Sequence, residues 1–252
     1  ETRIEERLAE ALPQARVTFG DIVLIMDEGW RPRIRLSQID VRSPGGGEIV
    51  RFNEVKASLS LPALLDGQLQ PREVALSGIF LRLRRGLDGR VSLSAGPGAA
   101  PRVRQAATLP ELVGQIDALF DAPALSALRQ VSLRALTLRY EDARTKRGWT
   151  VDGGRMQLRR DGDALALSTS LALLSGRAGV ATLSASYTTR LGTAEAQFGV
   201  SFDDIAAADI AAQGPAFAWL GALDAPISGS VRSGLTAAGR LQPLNAALEI
   251  GA

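Results

Sequence analysis

The chain has 252 residues, 22% of them charged, with 29 basic side chains against 27 acidic ones and neither cysteine nor histidine. Those two absences exclude disulfides, thiolate nucleophiles, Cys- or His-based zinc sites and all Ser-His-Asp or Cys-His catalysis. Lys56 and Lys146 are the lysines; the other basic residues are arginines interleaved with carboxylates along the whole chain. That pattern argues against the gathered positive patch of a nucleic-acid binder.

Hydrophobic residues make up 46% and aromatics only 5%, so the apolar surface is mostly Leu, Ala, Val and Ile. Smooth aliphatic walls fit that composition better than stacking platforms. No window has the apolar length of a membrane span, and no signal-peptide pattern opens the chain. The sequence begins at Glu1 without methionine and ends on "NAALEIGA", which still alternates like a strand. It reads as a piece of a longer protein.

Thr2 and Glu5 form a capping box for a short helix with Ile4, Leu8 and Leu12 on one face, ended by Pro13. "ARVTFGDIVLIMD", "RPRIRLSQIDVR" and "EIVRFNEVKASLSL" follow as strands, the last two joined by "SPGGG". No Gly-Lys-Ser/Thr follows that glycine run, so a hairpin turn is expected there, not a phosphate loop. "LPALLDG" reads as one helical turn before the strand "REVALSGIFLRLRR". "GLDG" then turns the chain into "RVSLS", and "AGPGAAP" is the best internal linker.

A stronger helix begins with the Thr108/Glu111 capping box and carries the stripe Leu109, Leu112, Val113, Ile116, Leu119 and Phe120. A second, capped by Asp121, carries Leu125 and Leu128. Strands are expected over 130–141, 148–160, 163–174, 178–190 and 193–203, helical pieces near 204–211 and 215–221, and last strands near 226–238 and 241–250. The chain divides into a helix-plus-sheet unit at 1–95, a linker at 96–107, and a helical segment followed by sheet at 108–252.

Three strands change parity midway. Val17 and Phe19 give way to Ile22, Leu24 and Met26. Val74 and Leu76 give way to Ile79, Leu81 and Leu83, and Val131 and Leu133 to Leu136, Leu138 and Tyr140. One extra residue in a strand, a β-bulge, keeps such positions on one face while bending the strand. The three runs start 57 residues apart, at 17, 74 and 131. Many one-sided strands with few helices to cover them leave two ways to bury the apolar face: a sheet folded on itself or a ligand.

At this point the residues resemble a family. "EVKASLSLPALLDGQLQPREVALSGIFLRLRRGLDGRVSL", "LRQVSLRALTLRYEDARTKRGWTVDGGRMQLRRDGDALALSTSLAL" and "LDAPISGSV" look like the N-terminal periplasmic portion of the bacterial AsmA-like superfamily, YhdP-like branch. The resemblance covers most of the chain through short, degenerate motifs. It implies a mainly β, α+β protein with a few short helices: an elongated, twisted antiparallel β-sheet groove with bulged strands, similar to bridge-like lipid-transfer proteins. It also implies a periplasmic protein anchored to the inner membrane by an N-terminal helix that this sequence lacks. The implied role is phospholipid movement between inner and outer membranes and envelope integrity, with neither cofactor nor nucleic acid and with envelope proteins as further partners.

Leu24, Met26, Leu81, Leu83, Leu136, Leu138, Leu165, Leu167, Phe198, Val200 and Phe202 are the expected inward, lipid-groove positions. For any one of them plain core packing is the alternative. Neither catalytic nor metal-binding residues are expected. Asp203-Asp204 reads as a helix cap before "IAAADI", and Asp161 and Asp163 flank Gly162 in a hairpin turn. Trp30, Trp149 and Trp219 stand alone as packing anchors or rim residues. Scaffolding of outer-membrane proteins through exposed sheet edges, or service as a structural periplasmic spacer, are the other non-enzymatic readings.

Overall fold

The computed structural model describes residues 16–27, 31–42, 48–66, 68, 70–87, 91–94, 125–144, 147–174, 180–211 and 215–251. In chain order its elements are β1 (Arg16–Thr18), β2 (Asp21–Asp27), β3 (Arg31–Arg42), β4 (Glu48–Leu59), α1 (Leu61–Leu65), β5 (Pro71–Arg85), β6 (Val91–Ser94) and β7 (Gln130–Asp142). There follow β8 (Arg147–Asp161), β9 (Ala164–Leu174), β10 (Ala181–Arg190), β11 (Ala196–Ala206), α2 (Ala207–Ala211), a 3-10 helix (Pro215–Ala222), β12 (Pro226–Leu235) and β13 (Asn245–Ile250). The expected helices at 1–12 and 108–120, the linker at 96–107 and Trp30 lie outside the described residues.

All thirteen described strands belong to one twisted, open, mixed sheet, with a spine ordered β1-β3-β4-β5-β7-β8-β9-β10-β11-β12-β13. β2 continues β1 along β3, and β6 takes over from β4 along the second half of β5. The mainly β architecture expected from the sequence is therefore present. One detail differs: β5 and β7 run parallel, whereas the other described strand pairs are antiparallel. A parallel pair needs a crossover, and the long stretch between β6 and β7 supplies the length for it. Val74 sits beside Val131 and Leu81 beside Leu138, so the 57-residue spacing in the sequence is the register of this ladder.

The parity changes fall at left-handed residues or at a strand break, and between β5 and β7 they pass without a slip in register. Gly78 has φ +72° in β5, and Ala135, which falls beside it in β7, has φ +52°. Gln38 (φ +53°) in β3 and Gly153 (φ +65°) in β8 fall on the same transverse line, with Asn53 of β4 packed against Gly78. At the break between β1 and β2, Gly20 faces Gln38, where a Cβ would come within 2.9 Å of its Oε1. Each left-handed residue reverses the alternation of its strand, so a row of them creases the sheet in concert. β11 has its own bulge: Asp204 has φ +58°, and the register with β12 slips between Phe202 and Ile205. Gly162, with φ +57°, makes the tight β8–β9 turn between paired Asp161 and Ala164, as the sequence suggests.

Candidate functional site: an apolar face and a polar trough

Cross-strand partners share a face, so the register assigns every paired side chain to one of two surfaces. One surface carries Ile22, Leu24 and Met26 from β2, then Ile34 and Leu36, Val55 and Ala57, and Val74, Leu76, Ile79 and Leu81. It continues through Val131, Leu133, Leu136 and Leu138, then Leu158 and Val151, then Leu165, Leu167, Leu171 and Leu173. Leu183, Phe198, Val200, Phe202, Val231, Ile227, Leu248 and Ile250 extend it to the far edge. The left-handed residues make this possible, because without the one at Ala135 the side chains of Leu136 and Leu138 would leave the face that Leu133 occupies.

Ten of the proposed groove residues fall on this apolar face. For Leu83 only the backbone is described, in register with Tyr140. Their exposures differ. Leu24 is 70% exposed, Met26 58% and Val200 39%, while Leu136 and Leu165 are buried. Leu81, Leu138, Leu167, Phe198 and Phe202 are half-buried. Leu165 packs with Leu128, Leu125, Val74, Val131, Leu158 and Leu191, so the segment before β7 covers one end of the face. At β11 and β12, Phe202 and Ile227 lie beneath Ala207, Ile210, Leu220 and Leu223 of α2 and the 3-10 helix region. Between these covers, and along β2 and β13, the apolar surface stays open among the described residues.

A polar cluster closes the β5–β7–β8 corner. Tyr140 stacks on Trp149 at 4.8 Å between ring centroids, and its hydroxyl donates to Asp142 at 3.4 Å. Asp142 is buried and is held by Arg85 at 3.7 Å and by the Arg144 backbone N–H at 2.8 Å. Burial, reinforced by the Asp142 charge, raises the Tyr140 pKa above its usual value. Trp149 is thus the packing anchor expected, whereas Trp219 lies exposed on the 3-10 helix, outside the sheet. Near the opposite edge, the hydrogen bond from Arg42 is the main cause holding the Asp40 carboxyl below its usual pKa, with Arg51 adding to it.

The other surface is polar. Ser132, Gln157, Ser168, Ser186, Gly199 and Arg232 form one row across it, and Arg155, Ser170, Ser184, Ser201 and Ser230 the next. With Arg134 and Gln130, and with Leu133, Met156, Thr169, Ala185 and Val200 from the row between, they line a trough of about 540 Å³. The described hollow therefore lies on the hydroxyl-rich side, opposite the apolar face. The serine pairs Ser168/Ser170 in β9 and Ser184/Ser186 in β10, each two residues apart, were the visible signal for this surface. Which strands lie side by side, and so which serines form a row, depends on the register.

Asp203-Asp204 is not a helix cap. Both residues lie in β11, at its bulge, where the Ser228 hydroxyl donates to Asp203 at 2.6 Å and accepts from the Asp204 N–H at 3.1 Å. A bulge leaves backbone groups out of the ladder, and Ser228 takes up the Asp204 N–H. No group of three or more His, Cys, Asp or Glu side chains suited to a metal occurs among the described residues, and no described helix is long and apolar enough to cross a membrane. The chain matches no family model, no curated protein and no solved structure.

Proposed function

We propose that this chain is a non-enzymatic lipid-transfer protein of the bacterial envelope, holding phospholipid acyl chains against its apolar sheet face between inner and outer membranes. On this reading the whole protein works in the periplasm, anchored to the inner membrane. The supporting observation is one apolar face kept continuous across the sheet by a row of left-handed residues, with Leu24, Met26, Val200, Leu248 and Ile250 left exposed. Covering such a face with acyl chains gains about 0.8 kcal/mol per buried methylene and requires no specific polar contact or catalytic group. The resemblance to AsmA-like proteins points the same way.

Native mass spectrometry of the gently purified protein tests the proposal; phospholipid should remain bound. Leu24→Asp combined with Val200→Asp should reduce the lipid-bound fraction several-fold while leaving the melting temperature near the parent's, because both side chains are already exposed. Leu81→Asp with Leu138→Asp should abolish binding, read alongside circular dichroism because these two residues are half-buried neighbours. An empty parent protein, or unchanged occupancy in the exposed-site variant, would sink the lipid reading.

A second reading, a scaffold or assembly factor for outer-membrane proteins or a structural spacer, is supported by the edge strand β13, all six of whose residues are exposed. A lipid-free protein that captures an unpaired strand of an outer-membrane protein would favour the scaffold.

A further inference from the structure

We infer that the polar face carries a separate site, in which the trough across β7–β12 binds a polyol phosphate. The phosphate would sit on Arg134 and Arg155, with its hydroxyls on the serines of β9–β11. Arg134 and Arg155 flank the paired residues Leu133 and Met156 on neighbouring strands, and both line the trough. Like charges placed opposite one another on a sheet repel, and a phosphate between them relieves that repulsion while accepting bidentate hydrogen bonds. No Asp or Glu lines the trough, and Arg232 adds positive charge at its other end.

On the same face Glu73 lies in register with Gln130, and two other carboxylates carry hydrogen bonds. Asp152 accepts from Thr137 and from the Gly153 N–H, and Asp203 from Ser228.

Between the arginines the walls are Ser168, Ser170, Ser184, Ser186 and Ser201, each exposed. Hydroxyls both donate and accept, which matches a polyol better than an aliphatic chain. No aromatic side chain lines the trough, so nucleobases and sugar rings have no stacking platform. Six strands at about 4.8 Å spacing make the trough roughly 24 Å long, enough for an extended headgroup. The same chemistry is presented by a free polyol phosphate and by the headgroup of an anionic glycerophospholipid. Because the trough and the apolar face are opposite sides of one sheet, this inference stands or falls apart from the lipid-conduit reading.

Calorimetric titration of the full chain with glycerol 3-phosphate, and co-sedimentation with phosphatidylglycerol or phosphatidylcholine vesicles, test it. Saturable binding in the first assay identifies a free ligand. Binding to phosphatidylglycerol but not phosphatidylcholine vesicles identifies a headgroup. In either case Arg134→Ala plus Arg155→Ala should weaken binding at least about tenfold, since each charge-assisted contact is worth about that factor. Ser170→Ala plus Ser184→Ala should weaken glycerol 3-phosphate several-fold while leaving inorganic phosphate within about twofold, and Leu24→Asp plus Met26→Asp, both remote from the trough, should change neither. These trough side chains are exposed, so circular dichroism should show parent-like melting. No arginine-dependent binding in either assay, or equal binding by parent and arginine variant, overturns the inference.

Discussion

Among single residues, the left-handed positions carry the clearest consequences. At Gly153 an added Cβ meets nothing within 4 Å, so Gly153→Ala would carry only the backbone strain, about 1–2 kcal/mol. At Gly78 the same φ penalty applies, and the new Cβ would also be driven into the Asn53 side chain, whose own Cβ is 2.8 Å away. Gly78→Ala should therefore lower stability by clearly more than Gly153→Ala, by about 2–3 kcal/mol once Asn53 is displaced. Ala135 already bears the strain; Ala135→Gly removes it but adds unfolded-state entropy, and the change should be within about 1 kcal/mol of neutral. Urea melts of the three variants check the order, and equal losses for Gly78→Ala and Gly153→Ala would refute the Asn53 contact. The sequence made the parity change at Gly78 visible. It did not reveal Gln38 as the left-handed residue of β3, because a glutamine carries no local sign of φ.

At the level of elements, alternation of apolar and polar residues located nearly every described strand, and α1, α2 and the 3-10 helix fall where short Leu/Ala segments suggested. Strand ends were harder to place, since Ala and Ser suit a strand and a turn about equally. That β5 and β7 run parallel followed from no local residue; only the 57-residue echo between them hinted at it. The sheet leaves β13 as an edge whose exposed Leu248 and Ile250 lie on the apolar side. Exposed apolar edges template further pairing, and an inward-pointing lysine is the usual protection. Leu248→Lys should therefore reduce self-association of the isolated chain at high concentration, as read by sedimentation velocity. It should leave lipid occupancy nearly intact, because one position among many apolar ones is lost. If self-association persists unchanged, β13 is not the sticky edge.

For the whole molecule, the question is what makes a sheet this wide behave as one body. The β5–β7 ladder is the only described strand pairing between the strands of the first 95 residues and those after 108, and it runs for the full length of β7, from Glu73 beside Gln130 to Arg85 beside Asp142. Its centre is Ile79 against Leu136, both buried, with Val151 wholly buried on the next strand. Truncating Leu136 would open a cavity where three strands meet, a loss of about 2–5 kcal/mol for Leu→Ala in a core. If the ladder couples the two halves, Leu136→Ala should lower the midpoint of one common transition, and hydrogen exchange should accelerate in β3–β4 and β9–β10 alike. If the halves are independent, exchange should quicken only near β7 and β8 while the remote strands keep their protection. The same coupling bears on function, because a continuous oily face requires the crease in β3, β5, β7 and β8 to hold its register across that ladder. A variant that slips β5 against β7 by one residue would send one of the two apolar stripes to the serine side. Loss of bound lipid and of cooperative melting would then appear together.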